Sequence, residues 1–229
     1  EYRMGVNEVS EKMINDYNAA PANSGLQITK DTLGADKPAT SVSWNEAARF
    51  VNWLNTSQGH VAAYNFTTGG ANDNISLWSS ADAWQLGGEN LYRHKDAYYF
   101  LPSEDEWYKA AFYDGNSMVY YDYATGSDTV PTAVAGGTAA GTAVYGQSFA
   151  TGPADIDDAG GLSYYGTMAQ SGNVYEWGES AFDTNVELRV LRGGFWSGDS
   201  DTLRSSFRDN ISLVTESIVI GFRVAAVPE

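Results

Sequence analysis

No cysteine occurs among the 229 residues, so the chain folds without disulfides, without thiolate metal sites and without a thiol nucleophile. Everything that holds it together must therefore come from its own packed core. The length permits this, since a domain of this size buries about 70% of the surface its unfolded chain exposes. One domain covering residues 1–229 is the expectation. The core material is aromatic: 7 Trp, 15 Tyr and 9 Phe each bring a large apolar area. With 24 Gly and only short strand-like runs, the pattern points to a loop-rich fold and not a helical bundle.

The formal net charge is -16, and no Lys or Arg stands between Lys109 and Arg189. Binding to phosphate backbones or anionic lipid depends on basic groups that displace counterions, so neither nucleic acid nor a membrane surface is an expected partner. An acidic, lysine-poor surface accords with a secreted protein. No apolar run approaches the ~20 residues that span a bilayer. Glu1 does not begin a signal peptide, so any targeting segment is expected to have been removed or to lie outside this sequence.

Local patterns place several elements. Residues 1–9 read as a strand, and Ser10 then caps a helix with Met13, Ile14 and Tyr17 at helical spacing. After a loop over 18–40, Ser43-Trp44-Asn45-Glu46 forms a capping box ahead of an apolar stripe of Ala47, Phe50, Val51 and Leu54. Residues 55–97 are polar and patternless, and are expected to be long loops packed through Trp78, Trp84 and Tyr92. Tyr98 to Leu101 reads as a short strand, followed by a second capping box, Ser103 with Glu106, and a helix through Phe112. Thr125 to Gly161 is Gly/Ala/Thr-rich and reads as irregular turns on a surface. Strands are expected over Asn173 to Trp177, Val186 to Arg192 and Ile218 to Ala226. No internal repeat is present.

A series of phrases runs the length of the chain. They are Met4-Gly5 with Glu8-Val9, Val42-Ser43-Trp44 with Ala47-Ala48, Leu101 to Trp107, Gly172-Asn173-Val174-Tyr175-Glu176-Trp177, Arg192-Gly193-Gly194, Arg204 to Arg208, and Gly221-Phe222-Arg223. In this order they resemble the formylglycine-generating enzyme family, also called the sulfatase-modifying factor family. The resemblance implies an α+β fold, an elaborated C-type lectin-like domain with two flanking helices and extensive ordered loops. It is most similar to a secreted bacterial subgroup with a C-terminal sorting signal, here represented by Val227-Pro228-Glu229. That likeness implies export, to the cell surface or the extracellular matrix.

The same resemblance defines what chemistry to expect. Catalytic members hold copper with two cysteines between the Arg-Gly-Gly and Gly-Phe-Arg phrases, whereas this chain has Ser197-Gly198-Asp199-Ser200-Asp201-Thr202-Leu203 there. Copper(I) requires soft thiolate ligands, so copper oxidation is not expected. A related branch uses three histidines for iron; only His60 and His94 are present, and both read as exposed polar residues. The resemblance also implies calcium, with main-chain carbonyls of Gly172 and Val174 and the Glu176 carboxylate as ligands. The alternative has Glu176 bonded to backbone amides in a sharp turn. Ala169 and Gly141 stand where the family has further side-chain ligands, and Asp155, Asp157 or Asp158 only partly substitutes.

Glu104, Asp105 and Glu106 sit at a helix N-terminus, where the dipole favours their charged form and opposes general-acid work. Arg204 and Arg208, four apart, are expected in structural ion pairs and not in ligand contact, and the family resemblance implies that they lie buried under the Gly-Phe-Arg strand. Asn55, Asn65, Asn74 and Asn210 lie in weak Asn-x-Ser/Thr patterns. The lectin-like resemblance implies a ligand face over Trp196, Ser197, Asp199, Asp201, Asn210, Thr215 and Glu216, a ring beside polar side chains suited to sugar CH faces and hydroxyls. Trp196 is suited equally to the core. The expected function is a non-catalytic extracellular binding or structural domain, with a carbohydrate-binding module as the alternative and an enzyme of cysteine-independent chemistry as the rival class. Its partners would be an extracellular polysaccharide or protein, or further copies of itself.

Overall fold

The computed structural model describes residues 1–67, 70, 72, 75–85, 90–183 and 185–228. Asn74 and Glu229, both noted above, lie outside them. Strand β1 (Arg3–Met4) leads into α1 (Glu11–Ala19) and α2 (Trp44–Ser57). Four short strands follow, β2 (Asn65–Phe66), β3 (Ile75–Ser76), β4 (Ala83–Trp84) and β5 (Asn90–His94). Next come β6 (Tyr99–Phe100), α3 (Glu104–Phe112), β7 (Tyr113–Asp114), β8 (Val119–Tyr120), β9 (Thr132–Val134) and β10 (Thr142–Val144). The chain finishes with β11 (Tyr175–Phe182), β12 (Asn185–Arg192), β13 (Asp209–Ser212), β14 (Ile220–Gly221) and β15 (Ala225–Ala226).

All three expected N-caps form. Ser10 accepts from the Met13 amide, and both Ser43/Glu46 and Ser103/Glu106 close complete capping boxes. Each such cap contributes about 1 kcal/mol by satisfying helix-end N–H groups that would otherwise lack partners. The fold therefore carries, among the described residues, the three α-helices that these caps announce, one more than the two flanking helices that the family resemblance implies. Of the α2 stripe, Ala47, Phe50 and Val51 are buried and Leu54 is half-buried.

Two sheets organise the molecule. In the first, β1 and β6 flank β15, so both ends of the chain meet in one antiparallel ladder. In the second, of order β13-β12-β11-β14, the long β11–β12 hairpin lies at the centre and β14 pairs parallel with β11. The main core lies where α1 and α2 pack with the inner residues of these sheets, around Tyr17, Trp44, Phe50, Trp177 and Phe222. Its indoles are satisfied: Trp44 Nε1 donates to the Gly178 carbonyl at 3.0 Å and Trp177 Nε1 to that of Val42 at 2.8 Å. Buried rings thus bring apolar area without orphaned donors.

Four regions differ from the expectations, the first being Ile218 to Ala226, which is split into β14 and β15 in two different sheets. Within 1–9 only Arg3–Met4 is strand. The patternless stretch 55–97 contains the end of α2 and the ladders β2–β3 and β4–β5, whose two-residue pairings are too short to show any periodicity. The Gly/Ala/Thr-rich segment is not confined to the surface: β9 and β10 pair parallel, and Val144, Ala154 and Ala159 enter a second core cluster with Val174 and Trp196. Gly172 adjoins it at φ 102°, where an added Cβ would lie 2.2 Å from the Val144 carbonyl oxygen. Only glycine fits so close a backbone approach. Among the described residues no helix is long and apolar enough to cross a membrane.

Candidate functional site

The turn that follows β12 is built on two glycines of positive φ, Gly193 at 99° and Gly194 at 77°. A Cβ on Gly194 would lie 2.6 Å from Leu203, so the pair lets the chain double back over its own next turn. Trp196 consequently points inward. It is 1% exposed, its Nε1 donates to the Phe149 carbonyl at 3.1 Å, and its ring belongs to the second core cluster. The ligand-face expectation for Trp196 is therefore corrected: the ring fills the core.

Beyond it, Asp199 caps a short 3-10 helix (Ser200–Leu203) by accepting from the Asp201 amide. Leu203 at the end of this helix is fully buried with Tyr123 and Ala143, and Gly198 lies against Phe195 and Thr202. The stretch where copper thiolates would be implied is thus closed by hydrocarbon and a helical cap. Asp199 and Asp201 are exposed and Ser197 is half-buried.

A feature that the phrase-by-phrase reading missed is Tyr175. Its ring packs with Phe195 at 5.3 Å and Phe207 at 6.4 Å between centroids. Its phenol is pushed up to about 12 by burial and by the charges of Asp209 and Asp199, against a hydrogen bond with Thr202. It therefore remains a neutral hydroxyl beside two carboxylates, suited to polar contact and not to proton abstraction. The other expected face residues do not join it in one set. Asn210 lies on the edge strand β13, opposite Val190. Thr215 lies in the turn after β13, and Glu216 accepts from Asn72 and raises the carboxyl of Glu46.

The Glu176 carboxylate is fully buried, and so is Arg223. Arg223 donates to both Glu176 oxygens at 2.5 Å each, and Trp107 Nε1 to Oε2 at 2.7 Å. The remaining Arg223 donors go to the carbonyls of Gly5, Val6 and Met168. Neither expectation for Glu176 describes this arrangement: its partners are a guanidinium and an indole, not backbone amides. A calcium ion on Gly172, Val174 and Glu176 would have to share its only carboxylate with Arg223, and hard cations require six or more oxygens. These residues do not fit calcium. Among the described residues no three Asp, Glu or His side chains gather as a metal site.

Glu8 adjoins this pair, 1% exposed, with Oε2 accepting from Asn173 Nδ2 at 2.7 Å and Oε1 without a partner. Burial and the neighbouring Glu176 push its carboxyl well above the usual range, against the pull of Arg223.

The other ionic groups are structural and partly displaced from expectation. Arg204 pairs with Asp122 and Asp201, and Arg208 with Glu104 and Asp183, both at the surface and not under the final strands. The buried arginines among the ion pairs are Arg93, Arg192 and Arg223. His60 stacks on Tyr98, and His94, half-buried, meets the edge of Trp78. Asn55 is fully buried, clamping β6 through the Tyr98 and Tyr99 amides and the Tyr99 carbonyl, which removes it as a glycosylation site.

A two-sheet, loop-rich domain whose terminal strands pair, and whose Arg-Gly-Gly and Gly-Phe-Arg phrases flank β11 on its two sides at Glu176, defines the lectin-like class of scaffold used by sulfatase-modifying factors. The chain belongs to that family: residues 2–227 match the sulfatase-modifying factor enzyme 1-like domain. Solved structures agree on the fold. CarF is similar with a TM-score of 0.71 at 22% identity, over 100% of this chain and 87% of its own. Treponema denticola variable protein 1 gives 0.64 at 22%, over 99% and 84%. PvdO from Pseudomonas aeruginosa gives 0.60 at 17%, over 99% and 80%. No curated protein matches the chain.

Proposed function

We propose that this chain is a non-catalytic binding domain acting outside the cell, on a sulfatase-modifying factor scaffold that has lost its oxidative chemistry. The observation that carries this reading is the buried Leu203 and the capped 3-10 turn in a chain without a single thiol. Where the family resemblance implies soft ligands for copper, this loop offers only hydroxyls, carboxylates and hydrocarbon, which suit contact and not electron transfer. The partly exposed rings of Phe195 and Phe207, beside Asp199 and Asp209, support a polyhydroxylated partner such as an extracellular polysaccharide. The acidic excess supports a soluble life in an exported setting.

Self-assembly is the second reading, favoured by one patch. The tip of the β7–β8 hairpin exposes Met118 (75%) and Tyr120 (51%), and Gly115 in its turn lies against Tyr164 and Tyr165. Screening the purified domain against immobilised polysaccharides, with sedimentation over a range of concentrations, separates the two. Saccharide retention by a monomer supports the first reading, and concentration-dependent oligomers without retention support the second. Conversion of a bound molecule would overturn both.

A further inference from the structure

A cleft of about 600 Å³ opens between β5, the first turn of α3 and the β11–β12 hairpin, a volume in the usual range for small-ligand sites. Its floor is the Arg93 guanidinium, 2% exposed, forked between Glu106 and Glu179 at 2.7 Å each. Tyr64 and Asn90 also donate to Glu179 but bring no charge. Counted with the rim, the carboxylates of Glu106, Glu179, Asp105 and Asp183 exceed by one the guanidiniums of Arg93, of Arg208 on Asp183, and of Arg189, which lies 4.2 Å from the Tyr92 ring. Burial pushes the Glu106 carboxyl up, but the Arg93 guanidinium and the Ser103 cap outweigh it and hold the group below the usual carboxylate range, so that charge persists near neutrality.

The rim adds Asp105, exposed, and Asp183, whose side chain is 67% exposed while pairing with Arg208. The walls are flat: the rings of Trp84 and Tyr92, each with a guanidinium over it, Arg93 at 5.5 Å and Arg189 at 4.2 Å, flanked by half-exposed Leu77 and Val186. An electronegative floor under aromatic walls selects among ligands. An anionic ligand is repelled. A neutral sugar uses the walls and leaves the charge unanswered, whereas a lysine side chain answers the charge and has no flat face to stack. A pyranose bearing an ammonium group uses both features.

We infer that the cleft binds amino-sugar units of a polysaccharide, with the ring face on Trp84 or Tyr92 and the ammonium toward Glu106, Asp105 and Asp183. This ligand class rests on the binding-domain reading and sharpens it. No part of it involves the Tyr175 neighbourhood.

The test is calorimetric titration with a β-1,4-linked glucosamine hexamer at about pH 6, where amines of this kind are protonated. The N-acetylated hexamer and an oligolysine of equal length serve as comparisons. The glucosamine hexamer is expected to bind at least about tenfold tighter than the acetylated one. Asp183→Asn and Asp105→Asn are each expected to weaken it about threefold, as exposed charge pairs do. Both sites are at the surface, and asparagine tolerates the positive φ of 53° at position 183, so folding is not at stake. Added salt should weaken binding further.

Equal affinity for the acetylated hexamer, absence of glucosamine binding, or aspartate variants that bind like the parent would overturn the inference. Oligolysine binding as tight as the amino sugar would likewise overturn it, in favour of a basic peptide. Retention of other polysaccharides without glucosamine preference would remove this ligand class and leave the binding-domain reading standing.

Discussion

Replacing Arg223 by methionine tests the internal frame on which the rest depends. The side chain keeps most of its volume but removes five donations: two to Glu176 and one each to the carbonyls of Gly5, Val6 and Met168. Glu176 then keeps only the Trp107 indole, with Glu8 close by. Breaking a buried pair by removing one partner costs about 3–5 kcal/mol, because the other charge stays buried without compensation. For a domain of this length that corresponds to a Tm about 6–20 °C lower.

The loss also has a sign in pH. Burial and Glu176 already push Glu8 up, and Arg223 opposes the shift, so its removal raises the Glu8 carboxyl further. A carboxyl whose folded pKa lies above its unfolded value of 4.5 takes up a proton on folding. Its favourable contribution is complete below that value and is lost as pH rises through the folded pKa. The variant's deficit should therefore be larger at about pH 8 than at about pH 5, as read by calorimetry or dye-monitored melting. A Tm within about 2 °C of the parent, or a deficit that grows on acidification, would refute the argument.

Three further outcomes are expected. Trp196→Phe should lower stability by about 1–3 kcal/mol in urea unfolding while leaving saccharide retention unchanged, because the indole lies in the core; lost retention with unchanged stability would restore it to a ligand face. Glu46, pushed from 4.5 to about 7 chiefly by burial and then by Glu216, against the cap bonds of Ser43, makes folding take up a proton. Stability should fall as pH rises from about 4.5 through about 7, and Glu46→Gln should flatten that slope in denaturant titrations; a slope unchanged by the substitution would contradict it. Chelation with EDTA or addition of millimolar calcium should leave Tm unchanged, since Arg223 already compensates Glu176; a Tm raised by several degrees with calcium would show an ion site in the fold.

What the sequence disclosed was mainly local. Ser43 with Glu46 and Ser103 with Glu106 are three residues apart, so the caps follow from spacing alone, and the α2 stripe follows from helical period. The same spacing logic placed the β11 and β12 strands near their observed positions. Features that failed were assembled across the chain. Asn55 reads as a sequon because its partners Tyr98 and Tyr99 are more than forty residues away. Arg93, Glu106 and Glu179 come from three separate elements, so no motif announces their cluster. Trp196 was open between core and surface because a Gly-Gly turn directs the next side chains either way. The direction was set by Leu203 closing beneath Gly194. Parallel pairing of β9 with β10 was unreadable for a similar reason: parallel strands ordinarily need a long crossover, and here the connection spans only residues 135–141.

The most direct measurement of the central claim is oxygen uptake and product mass by the purified domain incubated with a cysteine-containing peptide, with and without added copper. The account predicts no oxygen consumption above the peptide-only background and an unmodified peptide in both cases. Conversion of the peptide cysteine that scales with protein concentration would show that this scaffold still performs chemistry, and would contradict the account.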